Sequence, residues 1–331
     1  MTMPQEPQQR PGMKGVRTYP FVGIPSFLRS EICTDLKHLD ADIAVLGAPT
    51  DEGSPFLPGA RFGPRGIRQH SMRFFGNKGI YNPQERKAYL EYEVGNGRIV
   101  DVGDAAVLPT NAEVTFQNIT DLTRAVLDRG ALPVVLGGDH AITFPVVRAY
   151  NEPLYVMHFD AHIDYAPFMH GYEYTNGHCM RHIHHMSHVK GITQVGIRSL
   201  RSVKAYIDDS VNDGNRVVTM EQFRDVGHRT LVEEIPTDAK CYVSIDIDVL
   251  DLPLVPGCVS AEPNGMTYEE LRQTLFDLAE HTDVVGFDLV EVNPELDVGT
   301  GITSYLAAHT ILEFLGRICD QPRWIARREN R

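Results

Sequence analysis

The chain has 331 residues but only five cysteines, Cys33, Cys179, Cys241, Cys258 and Cys319, widely spaced and with no CxxC pair. An odd, scattered set of this kind excludes a disulfide framework and predicts a reducing compartment. No apolar run is long enough to span a bilayer, and the opening MTMPQEPQQRPGMKG lacks the apolar stretch of a signal peptide. A cytoplasmic protein with no membrane partner is therefore expected. Basic residues are also short: 31 Lys and Arg face 44 Asp and Glu, a formal net charge of −13. Such a chain has no cationic surplus to displace counterions from nucleic acid, so no nucleic-acid partner is expected, whereas a small cationic substrate is compatible. Neither an internal repeat nor a GxGxxG or GxxxxGK[ST] pattern after a strand is found, which speaks against nucleotide binding.

Residues 1–20 are rich in Pro, Gln and Gly and predict an arm or disordered tail, followed by one domain over 21–331. Short apolar runs then recur at 42–47, 131–137, 154–160, 193–199, 216–220, 241–250 and 283–292, most of them reading as strands buried on both faces. Between them lie helical patterns at 116–130, ending at Gly130, at 267–281, opening with a Thr267/Glu270 capping box, and at 302–318. Strands alternating with helices predict an α/β fold with a mostly parallel sheet between helical layers, its functional groups gathered where strands end.

Three segments break the apolar pattern at those ends. LGGDHAIT carries Asp139 and His140, HFDAHIDYA carries Asp160, His162 and Asp164, and SIDIDVLD carries Asp246 and Asp248. Alternate residues of an extended chain point to one side, so Asp160, His162 and Asp164 are expected to converge, as are Asp246 and Asp248. A lone strand-end Asp is usually a turn or helix cap, the reading favoured for Asp139, and a lone His140 is more often structural. Together, however, crowded carboxylates with no basic side chain in the same segments call for a metal counterion. Carboxylate and imidazole donors suit Mn, Ni, Co or Zn, and six candidate ligands are enough for two ions sharing bridging carboxylates.

GGDH, DAHID and SIDIDVLD resemble, in order and spacing, the three metal signatures of the ureohydrolases, the family of arginase and agmatinase. GIPSFLRSE (23–31), GAPTDEGSPFLPGARFGPRGIR (47–68) and LVEVNPELD (289–297) resemble its agmatinase-like branch. The resemblance implies a three-layer α/β/α sandwich around about eight mostly parallel strands, usually assembled as a homo-oligomeric trimer or hexamer. It implies one ion on His140 and Asp164 and another on His162 and Asp248, with Asp160 and Asp246 bridging and Mn or Ni as the cofactor. Hydroxide formed between the ions would attack a guanidinium carbon, giving an amine and urea, with Asp164 moving the proton. PGCVSAEPNGM (256–266) aligns with a family loop and so implies Glu262 as the carboxylate that holds the guanidinium.

Residues 170–188 hold six of the fourteen histidines, including the HxxxH pairs His178/His182 and His184/His188. That spacing places two imidazoles on one helix face, but no HExxH pattern is present, and a helix face near solvent or a subunit contact is the plainer reading. Agmatinase-like members usually read YSHGTPFRR where this chain reads YTNGHCMRH. Asn176 thus stands in place of a histidine and is expected at the substrate, with His178 the candidate replacement in catalysis. Agmatine and 4-guanidinobutyrate are the default substrates, and a guanidine- or biguanide-type (metformin-like) substrate is the alternative. A noncatalytic partner subunit in a hetero-oligomer with a paralogue is the alternative from another class.

Overall fold

The computed structural model describes residues 19–74, 78–169 and 171–329. The expected N-terminal arm lies outside these residues except for its last two, as does His170. In chain order the strands are β1 (Glu31–Ile32), β2 (Ile43–Ala48), β3 (Ile80–Asn82), β4 (Lys87–Tyr89), β5 (Ile99–Asp104), β6 (Leu132–Gly137), β7 (Leu154–Phe159), β8 (Val189–Ile197), β9 (Arg216–Thr219), β10 (Lys240–Asp246) and β11 (Asp283–Val290). Nine of them form one parallel sheet in the order β1-β5-β2-β6-β11-β10-β7-β8-β9, and β3 pairs with β4 as an antiparallel hairpin. The sheet has one strand more than the resemblance implied, and its edge is the two-residue β1.

Side chains leave the sheet alternately to its two faces. Ile43 and Val45 of β2 join one core with Leu275 and Phe276 of the helix Tyr268–His281 and Ile311 of the helix Ile302–Cys319. Ala44 and Leu46 join the opposite core with Phe116 and Ile119 of the helix Ala112–Asp128. This period of two makes the fold a three-layer α/β/α sandwich. The Thr267 capping box forms as expected: Glu270 N donates to Thr267 Oγ1 at 3.2 Å, and Thr267 N donates to Glu270 Oε2 at 2.7 Å. Gly130, just past the helix Ala112–Asp128, takes φ 72° and donates its N–H to Leu127 O, the role of a glycine after a helix end.

Several boundaries differ from those expected. β7 ends at Phe159 and β10 at Asp246, so Asp160–Asp164 and Asp248 lie beyond the strands. β5 carries Asp101 within an otherwise apolar run, and this buried charge masks the strand in the sequence. Arg68 explains it: its Nε and Nη2 donate to Asp101 at 2.8 and 2.9 Å, and its Nη1 donates to Asp104 at 2.5 Å.

The sheet order sets β6, β11, β10 and β7 side by side at its centre. Neighbouring strands are about 4.8 Å apart, so residues leaving their C-terminal ends are within reach of one another. Replacing Arg68 by Met would leave Asp101 buried without its cation. This is expected to destabilise the fold by about 3–5 kcal/mol, read as a lowered midpoint in urea unfolding.

Candidate metal centre

One local device recurs at three of these strand ends. Asp139 Oδ1 accepts Ala141 N at 3.1 Å, Asp160 Oδ1 accepts His162 N at 2.5 Å, and Asp246 Oδ1 accepts Asp248 N at 2.8 Å. Each is an Asx turn, which bends the chain out of the strand. These turns, rather than strand alternation, bring the predicted residues together, and Asp164 completes the bend with φ 45°. Asp139 spends its other oxygen on Gly53 N at 2.9 Å and is a cap, as favoured above. Asp160 and Asp246 cap with one oxygen and turn the other inward.

All six predicted residues meet. His140 Nδ1 lies 2.9 Å from Asp160 Oδ2, 3.2 Å from Asp246 Oδ2 and 3.3 Å from Asp164 Oδ2. His162 Nδ1 lies 3.0 Å from Asp248 Oδ2 and 3.3 Å from Asp160 Oδ1. The oxygens of Asp160 therefore face both imidazoles. Burial and hydrogen bonds from His140, His158 and His162 act oppositely on Asp160, and the bonds hold it well below the usual carboxylate range. Burial and neighbouring carboxylates push Asp164 and Asp246 well above it. Burial opposes charge on His162, but Asp248 and Asp160 outweigh it and push the imidazole up to about 12. The cluster is short of positive charge. Asp248 Oδ2 is buried and accepts no hydrogen bond, because His162 Nδ1, although near, is not in bonding geometry. An unused carboxylate oxygen opposite an imidazole nitrogen fits a divalent cation.

Sequence reasoning missed the residues that hold these groups. His140 Nε2 meets Ser244 Oγ at 2.9 Å, and Ser244 Oγ donates to buried Asp288 Oδ1 at 2.8 Å. This chain leaves Nδ1 as the ligand nitrogen. His158 lies among the potential ligands, but Asp160 Oδ2 is 2.9 Å from its Nε2 and Gln194 Nε2 is 3.2 Å from its Nδ1. With both ring nitrogens engaged, it orients Asp160. Ser244 and Asp288 sit inside apolar strands, and that buried polarity was the available signal.

A cleft of about 300 Å³ opens over the cluster, with His162, Asp164, Asp246, Asn176, Arg201 and Glu291 on its wall. Asn176 lies on this wall. His178 does not: its Nδ1 is 2.6 Å from Thr175 Oγ1, its Nε2 is 3.2 Å from Pro167 O, and Asn176 and Gly177 form the wall instead. Nor does Glu262 face the cleft; it accepts Ser199 Oγ at 2.6 Å and Arg201 Nε at 3.0 Å, with His162 Nε2 3.6 Å away. Glu291, just past β11, is buried in the cleft wall with φ 64° and accepts His140 N at 2.9 Å. Like Asp164 at φ 45°, it is a non-glycine residue held in the left-handed region beside the cluster of charges, where backbone strain often gathers at functional sites. The HxxxH pairs make no cluster among the described residues: His182 Nε2 meets Glu173 O and His188 Nε2 meets Val147 O.

Residues 41–316 match the sequence pattern of the Arginase family. This chain belongs to that family. Guanidinopropionase of Pseudomonas aeruginosa is 35% identical over 305 residues, covering 89% of this chain and 92% of its own. Proclavaminate amidinohydrolase of Streptomyces clavuligerus is 33% identical over 308 residues, covering 89% and 93%. Its solved structure superposes with a TM-score of 0.80 at 30% identity, over 91% of this chain and 99% of that one. An agmatinase of Pyrococcus horikoshii is 33% identical over 268 residues, covering 80% and 90%. The arginase-family chain is thus a ureohydrolase, an enzyme class acting on C–N bonds of linear amidines, with a candidate binuclear metal site.

Elemental analysis is expected to find two divalent ions per wild-type chain and at most one in Asp160→Ala and Asp248→Ala. Chelation should lower the melting temperature of the wild type but leave that of Asp160→Ala almost unchanged. An ion present at a hundred times its Kd stabilises by about 2.7 kcal/mol.

Proposed function

We propose that this protein is a binuclear metal-dependent amidinohydrolase that cleaves a small guanidino acid, of 4-guanidinobutyrate or 3-guanidinopropionate size, to an amine and urea. The observation that carries this reading is the polarity of one cleft. Its lining holds His162, Asp164 and Asp246 of the cluster with Glu291, and, opposite in charge, Arg201, the one Lys or Arg among the described lining residues. Two ions, when held by His140, Asp160, His162, Asp164, Asp246 and Asp248, supply the acidification of water that hydrolysis near neutral pH requires. The donor set suits Mn, with Ni the alternative.

The chain's own groups do the rest. Glu291 uses one oxygen to accept from His140 N, and its other oxygen is offered to the planar guanidinium, which a carboxylate pairs with well. This assigns to Glu291 the role that the loop alignment gave to Glu262. Asp164 lies both in the cluster and on the cleft wall, so it can hand a proton to the departing amine. Asn176 can donate or accept a hydrogen bond but cannot titrate near neutral pH, so it positions substrate and moves no proton. Arg201 is anchored through Nε to Glu262 and through Nη2 to Ser260 O at 3.0 Å and His162 Nε2 at 2.8 Å, which leaves Nη1 for the carboxylate tail of the substrate. The terminal ammonium of agmatine would face this guanidinium instead, a like-charge contact. The names of the relatives, a guanidinopropionase, a proclavaminate amidinohydrolase and an agmatinase, span both kinds of tail at similar identity. Arg201 is therefore what favours the acid.

A urea-release screen of Mn- and Ni-loaded protein is expected to give kcat/KM for the two guanidino acids at least tenfold above that for agmatine. Arg201→Met should remove most of that margin, since a charged hydrogen bond contributes roughly 1.5–3 kcal/mol. A preference for agmatine would overturn the acid reading, and no urea from any guanidino compound would overturn the hydrolase. Glu291→Gln is expected to lower kcat/KM by roughly ten- to a hundredfold with both ions retained.

A further inference from the structure

The loop that carries Glu262 also brings a sulfur to the cluster. Cys258 is 7% exposed, and its Sγ lies within 4.8 Å of ligand oxygens of both Asp246 and Asp248. Its backbone is pinned on both sides. Gly257 N donates to Thr303 Oγ1 at 2.7 Å, Gly257 O accepts Asn293 N at 2.7 Å, and Cys258 N donates to Val255 O at 3.1 Å. The thiol is thereby fixed against the two carboxylates. Asp248 also carries the fully buried Oδ2 that accepts no hydrogen bond and faces His162 Nδ1 at 3.0 Å. Two carboxylates, one with an unused oxygen, and a sulfur within ligand spacing form a mixed oxygen and sulfur pocket.

We propose that Cys258 is a further ligand to the ion nearest Asp246 and Asp248, and that it shifts this site from Mn toward the softer ions Ni, Co or Zn. The proposal rests on the reading that the cluster holds metal. Thiolate is the ligand form, so binding releases the thiol proton to solvent as the metal–sulfur bond forms. Oxygen and imidazole donors alone accommodate Mn, Ni and Co alike, whereas sulfur discriminates against Mn.

Cobalt(II)-loaded protein tests this without reference to turnover. The wild type is expected to show near-ultraviolet thiolate-to-cobalt charge-transfer absorption, absent in Cys258→Ser and retained in Cys179→Ser. With Ni and Mn supplied equally, the bound Ni:Mn ratio is expected to fall at least tenfold in Cys258→Ser. X-ray absorption of the zinc-loaded wild type needs no variant and should find a sulfur neighbour at about 2.3 Å. Bound cobalt or zinc without a sulfur signature, or a band that persists in Cys258→Ser, would overturn the proposal while leaving the metal centre intact. Failure to bind any divalent ion would overturn the metal centre and the sulfur ligand together.

Discussion

Mutual repulsion among buried carboxylates is the constraint on which the centre of this molecule depends. Asp160, Asp164, Asp246, Asp248 and Glu291 crowd one corner, all but Asp164 fully buried, with the imidazoles of His140, His158 and His162 among them. Two like charges 4 Å apart repel by about 4 kcal/mol at an effective dielectric constant of 20, so such a group is stable only around cations. Hydrogen bonds relieve part of the strain. Ser244 and Asp288 fix His140, His158 fixes Asp160, and the Asx turns consume one oxygen from each of two carboxylates. What they leave over is concentrated at the floor of the cleft, where a cationic ligand and the guanidinium of a substrate meet the same need.

The residues of the cluster were legible in the sequence because polar residues at strand ends stand out against apolar runs. The route by which they converge was not legible in the same way. Alternation along an extended strand predicts convergence, but Asp160, His162 and Asp164 lie beyond the strand, and an Asx turn does the work. Asp101 hid β5 because a buried ion pair with Arg68 is a long-range event invisible at the level of local pattern. Glu262 and Glu291 show the limit of alignment: both are loop glutamates near the centre, and only the fold reveals that Ser199 and Arg201 occupy Glu262 while Glu291 enters the cleft. His178, attractive as a titratable group beside Asn176, is spent on Thr175 and Pro167. Cys258 lies outside the three metal segments and joins them only through packing of the loop against Thr303 and Asn293.

On the substrate side the cleft is economical in charge. In the proposed reading Asn176, which cannot titrate near neutral pH, positions substrate, and proton movement falls to Asp164. Arg201 links the two halves of recognition, because Glu262, which anchors it, also stands near His162. A change at this glutamate would thus be felt at both Arg201 and His162.

The Asx turns have a further consequence, for the order of events in biogenesis. Their hydrogen bonds join residues two apart in the chain, so each bend can close as soon as its strand has paired, with no ion to hold it. The bends can then be set before the carboxylates take up their cations. A ureohydrolase assembled in that order acquires its metal from whatever pool it meets once complete, and its activity in a cell becomes a report on that pool as much as on its gene.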